Sequence, residues 1–237
     1  MNFRQKITLN LLLTLILGGA AYAQAVHIPD ANLRTAIIDA LKLPRGTHLT
    51  EEHMRQLKEL HVRNREIYDL KGLEFAINLT VLKISKNPIS DLRPIAGLTN
   101  LWHLSMWDVP DADINVLRGL INLEHFDISF GNVQEINVVA RFTKLRAFGM
   151  SHNSVVDISP VANLKELRYF WAADNKIEDF RPLSGLLNLI DLDIHKNRTL
   201  DYSPVDHLSL TRFIYDQTCE MPPIALAPRL ENGSAPR

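Results

Sequence analysis

The sequence predicts an α/β solenoid, a stack of short coils that each give one strand to a parallel sheet, closed at the N-terminus by helices. Three observations predict it. Leu57, Leu79, Leu101, Leu123, Leu145, Leu167 and Leu189 stand 22 residues apart. After each leucine, apolar residues return three, five, sixteen and nineteen positions on, as in Leu82, Ile84, Ile95 and Leu98, or Phe170, Ala172, Leu183 and Leu186. Twelve positions on, all seven copies carry an acid: Asp69, Asp91, Asp113, Glu135, Asp157, Asp179 and Asp201.

Each part of the coil follows from its residues. The L-x-L alternation has the period of a strand with one buried face and one free face. Stacked strands of neighbouring coils lie about 4.8 Å apart. Eight positions after their leucine stand Asn87, Asn153, Asn175 and Asn197. A buried Asn where the chain turns inward satisfies backbone groups of adjacent coils with both its carbonyl and its NH2, so these four form a predicted structural ladder. Pro94, Pro160, Pro182 and Pro204 suit a tight return segment rather than a long helix. A repeat of roughly 20–29 residues carrying L-x-x-L-x-L-x-x-N marks a leucine-rich-repeat solenoid.

The full pattern, L-x-x-L-x-L-x-x-N-x-I-x-D-I-x-P-L over residues 57–209, resembles the short repeat of internalin-like bacterial leucine-rich-repeat proteins. That resemblance implies a curved, right-handed superhelix with the parallel β-sheet on its concave face, and recognition of other proteins by that face. Arg65, Val109 and Gly131 replace the ladder Asn in the first, third and fourth coils. "WDVPDADIN" also puts Asp111 where an apolar residue is due, so a local irregularity is expected in the third coil.

The flanks divide the rest of the chain. Residues 1–23 read as an export signal: Arg4 and Lys6, an apolar run from Ile7 to Leu17, and an A-x-A cleavage site at Ala21-Tyr22-Ala23. The expected product starts at Gln24 and is secreted or periplasmic. Residues 24–56 form the expected N-terminal helical cap, with Asp30 capping a helix that carries Leu33, Ile37, Ile38 and Leu41 and stops at Pro44, then Thr50 capping a second, shorter one. Residues 210–221 are the expected C-terminal cap, in which Leu210, Phe213 and Tyr215 imitate one more strand, shifted by one residue. Residues 222–237 read as a disordered tail or linker. The lone Cys219 excludes an internal disulfide. The chain has 26 basic and 27 acidic residues, which gives no footprint for nucleic acid or an anionic membrane. No segment after the leader is apolar enough for membrane insertion, and the protein is expected to be monomeric.

Function must lie in the positions that the repeat leaves free. Trp107, Phe130, Tyr169 and Trp171 place large rings on the predicted concave face, and exposed rings among polar groups are typical binding anchors. Their alternative role is to pack on one another over the thin stretch at Ala147 and Gly149. His103, His125 and Asp127 form one polar group on this face, and Asp191, Asp193 and His195 another. Alternate residues of one strand lie about 6.8 Å apart, too far for the latter trio to share one zinc unaided. The chain lacks G-x-S-x-G, H-E-x-x-H and P-loop motifs and paired cysteines, so no catalytic residue, metal site or cofactor is assigned. The expected function is non-enzymatic binding of a protein or peptide ligand on the concave face. A glycan stacked on the rings is the alternative, and a metal-dependent hydrolase using Asp191, Asp193 and His195 is the more distant one.

Overall fold

A computed structural model of the chain describes residues 24–199 and 201–216. The expected export signal at 1–23, Cys219 with the end of the C-terminal cap, and the expected tail at 222–237 lie outside the described residues. Helix α1 (Ala31–Ala40) opens on Asp30, whose carboxylate accepts the Leu33 N–H at 2.9 Å. Its other oxygen accepts the Tyr68 and Asp69 N–H groups at 2.8 and 3.3 Å, which ties the cap to the first coil. Burial works to raise the Asp30 pKa, but these backbone donors outweigh it and hold the group below its ordinary value. Leu33, Ile37 and Ile38 are buried, whereas Leu41 only closes the helix and packs partly against the core. The expected stop at Pro44 therefore comes early: Lys42 turns the chain in the left-handed region at φ 55°. Helix α2 (Glu51–Gln56) is capped by Thr50, with the His53 ring returning a bond to the Thr50 N–H.

Eight three-residue strands follow: β1 (Glu59–His61), β2 (Val81–Lys83), β3 (His103–Ser105), β4 (His125–Asp127), β5 (Ala147–Gly149), β6 (Tyr169–Trp171), β7 (Asp191–Asp193) and β8 (Arg212–Ile214). They form one parallel sheet in chain order. Each step is one repeat until the last, where Leu192 pairs with Phe213 and the register shortens by one residue. The central residue of strands β1 to β7 points into the core, and Phe126, Phe148 and Phe170 stack there at 5.9 and 5.8 Å.

Strands stay short because every coil turns sharply three residues past its strand. Asn64, Lys86, Asp108, Phe130, His152, Asp174 and Lys196 all sit in the left-handed region, at φ 53–59°. That conformation costs a non-glycine residue about 1–2 kcal/mol. Its return is an N–H aimed at the next coil, as from Lys86 to the Trp107 carbonyl at 3.0 Å and from Phe130 to that of Ser151 at 2.9 Å.

The acidic column starts the return turns. Asp91, Asp157, Asp179 and Asp201 each accept the N–H two residues on, at 2.7–3.1 Å, immediately before a 3-10 turn. The Arg93 and Arg181 side chains bond back and hold Asp91 and Asp179 below the usual carboxylate range. The Asn ladder lies inside. Asn87 Oδ1 accepts from Arg65 and Ile67, and its Nδ2 donates to Val62 and Ile84. Asn175 joins Val155 N–H to the Met150 and Ala172 carbonyls. A second set, Asn100, Asn122 and Asn188, bonds a carbonyl of the preceding coil on the return side, and Asn78 likewise bonds the Arg55 carbonyl of helix α2. In the third coil Val109 is buried at the ladder position, Asp111 takes φ 60°, and Ala112 packs against the core in its place.

Candidate functional site

The parallel sheet lines the inner, concave side of the solenoid. The first and third residues of each strand form its floor, and the turn residues form a rim. On the rim, the Arg63 guanidinium lies 4.6 Å from the centre of the Trp107 ring and Lys86 Nζ lies 4.9 Å from it. Trp107 meets Phe130 at 6.3 Å, Phe130 stacks on His152 at 4.1 Å, and His152 pairs with Asp174 at 2.8 Å. One ribbon of contacts thus crosses six coils.

On the floor, His103 and His125 stack at 5.3 Å with the Trp102 ring edge-on to both. Burial, then Lys83, then His125 and His61 push the His103 pKa down to about 4, so the imidazole is neutral at pH 7. Burial also lowers His125, with Glu124 pulling the other way. Asp127 is raised by burial, against the Ser129 bonds that favour its charge. A Cβ on Gly149 would come within 2.8 Å of the Asp127 carboxylate, so glycine allows this approach.

At the C-terminal end Tyr169 and Trp171 meet at 6.0 Å. Trp171 Nε1 donates to Asp191 at 3.1 Å, and Arg212 bonds both Asp191 oxygens at 3.0 Å. Asp193 holds His195 at 2.6 Å. Asp191, Asp193 and His195 therefore do not converge: the first faces an arginine and an indole, the others face each other. Among the described residues no three His, Cys, Asp or Glu side chains are grouped to hold a metal ion.

The expected exposed rings are mostly half-buried, and only Phe130 is exposed, at 48%. Trp107 and Phe130 belong to the rim, Tyr169 and Trp171 to the floor, and no ring contact joins the pairs among the described residues. Sequence reasoning missed Trp102, which stands one position before its strand. It also missed the cations beside Trp107. Reading a column down two coils, roughly 10 Å, would have found Arg63 below Trp107.

A parallel sheet built from 22-residue coils, a turn column and an interior Asn ladder defines a leucine-rich-repeat solenoid. Two internalins of Listeria monocytogenes share it. The internalin InlF matches with a TM-score of 0.76 and 27% identity, over 79% of this chain and 56% of that one. The internalin InlC2 matches with a TM-score of 0.70 and 25% identity, over 79% of this chain and 94% of that one. This chain thus spans little more than half the length of the first and nearly all of the second. No family model and no curated protein matches the sequence. The chain has an internalin-like leucine-rich-repeat fold. Such a fold is typically a protein-binding module and generally non-catalytic; no enzyme family is identified.

Proposed function

We propose that the protein is an exported, non-enzymatic recognition module that holds a protein or peptide on its concave sheet. Phe130 carries this reading. It occupies a left-handed turn position at φ 59° and is about half exposed. The turn favours Gly or Asn there, and the core is filled by its own leucine and phenylalanine columns. A ligand gives the ring a use that the fold does not. Its neighbours Trp107 and His152 hold it upright, which lowers the ordering cost of binding. Export rests on the leader at Met1 to Ala23, and N-terminal sequencing of the protein recovered outside the cytoplasm should begin at Gln24.

The test is a displayed protein and peptide library panned on the mature chain, with a glycan array in parallel. Selected binders should lose affinity to Phe130→Ser and Trp107→Ser, and keep it for Leu187→Ser on the return side, where Leu187 is 71% exposed. Binding that follows Leu187 and ignores Phe130 overturns the reading. Glycan binding with no protein or peptide selected overturns the ligand class.

A further inference from the structure

Three cations on the first two coils have no acid. Arg63, Lys83 and Lys86 form no ion pair among the described residues, and Glu59 is turned to His61 at 3.7 Å. Asp108, next in the column of Lys86, does not pair with it. Arg63 and Lys86 instead lie against one indole, that of Trp107. Ser85, between Arg63 and Trp107 in its column, is small and buried, so the Arg63 side chain reaches the Trp107 ring across it. Like charges gathered at one ring repel, and an anion placed between them turns that repulsion into attraction. Burial chiefly lowers the His103 pKa, and the Lys83 ammonium adds to that effect.

We propose that Arg63 and Lys86 beside Trp107, with Lys83 on the adjoining strand β2, form an anion site that takes an Asp or Glu side chain of an acidic protein segment, with a neighbouring apolar side chain of that segment resting on Phe130. This rests on the concave-face reading and names its partner's chemistry. A carboxylate suits the guanidinium and ammonium donors, and the indole supplies an apolar wall. A uniform polyanion fits less well. Farther along the face Asp174, Asp191 and Asp193 are already matched with His152, Arg212 and His195, so those three cationic groups are held by acids of the face itself. Lys86 and Phe130 occupy the same column two coils apart, roughly 10 Å, which is about three residues of an extended peptide. The bound segment therefore carries its acid and its apolar anchor about three positions apart.

Random twelve-residue peptides displayed on phage are panned on the mature chain, and synthetic copies of those selected are titrated by fluorescence anisotropy. The selected sequences should be enriched in Asp or Glu near an aromatic or aliphatic residue. Arg63→Gln with Lys86→Gln should weaken them by about tenfold or more, the order of a lost charge-assisted contact. Glu→Gln in the peptide, or raising salt to about 0.5 M, should do the same. Both protein positions are exposed, so the variant keeps its core. Peptides without acidic enrichment, or unaffected by the double variant, overturn the anion site; if Phe130→Ser still weakens them, the concave-face reading survives. A heparin-derived tetrasaccharide that displaces the peptides and itself binds more tightly through Arg63 and Lys86 overturns the choice of partner. A library that yields only binders of the return side overturns anion site and concave-face reading together.

Discussion

Removing one ladder asparagine should cost a different amount in different coils, and the hydrogen bonds say by how much. In Asn175→Ala, the Met150 carbonyl keeps its bond from Asn153 at 2.9 Å. The Ala172 carbonyl keeps one from Asn197 at 3.0 Å, and the Ala173 carbonyl keeps the His152 N–H. Only the Val155 N–H is orphaned. One buried unsatisfied donor costs about 1–3 kcal/mol. Asn87 has no such support, because its neighbours in the ladder are Arg65 and Val109. Asn87→Ala strands the Ile67 N–H and the Val62 and Ile84 carbonyls, and leaves the Arg65 N–H to water. Three buried orphans, partly relieved by local opening, should cost about 3–5 kcal/mol. At about 2–4 °C per kcal/mol for a chain of this size, the melting point should fall by roughly 6–20 °C. Urea midpoints followed by circular dichroism measure the difference, and hydrogen exchange at Ile67 localises it. If Asn175→Ala costs as much as Asn87→Ala, the ladder does not share its bonds between coils and the reasoning fails.

Asp30→Ala should cost about 1–3 kcal/mol by removing a helix cap and the link to Tyr68 and Asp69 together. Because the folded pKa of Asp30 is depressed, this contribution is present above about pH 4 and is lost as pH falls through the folded value, so wild type and variant should converge in acid. The opposite residue type gives a second window. His103 falls from 6.5 to about 4 on folding, so the unfolded chain binds more protons between these values and acidification across them destabilises the protein. His103→Gln should flatten the unfolding midpoint over that range, and an unchanged slope would remove the buried imidazole as its source. Trp171→Ala should lower stability by about 1–3 kcal/mol, since the half-buried indole packs on Tyr169 and bonds Asp191. An unchanged midpoint would return Trp171 to the role of a free binding ring.

The repeat was legible because core positions obey a period. Leucine spacing, strand alternation and the Asn ladder all follow from stacking identical coils, so one coil predicts the next. The acidic column was visible too, although its use is clear only from the bond to the N–H two residues on. The left-handed turn column is only partly marked in the sequence: Asn64, Asp108 and Asp174 suit that conformation, whereas Lys86, Phe130, His152 and Lys196 do not, and the stacking of N–H groups onto the next coil imposes it. The candidate site was half legible. Periodicity showed which positions face the sheet, but not which partners they choose once there. Asp191 and Asp193 read as free carboxylates, and Arg212 and His195 occupy them. Trp107 read as a bare ring, and two cations from earlier coils lie beside it.

The most direct measurement places a photo-crosslinking phenylalanine analogue at Phe130 on the concave rim and at Leu187 on the return side, and irradiates each with a ligand selected on the wild-type chain. Crosslinking at position 130 and none at 187 is the expected result. Crosslinking at 187 with position 130 silent would place recognition on the other side of the solenoid and contradict a concave binding face.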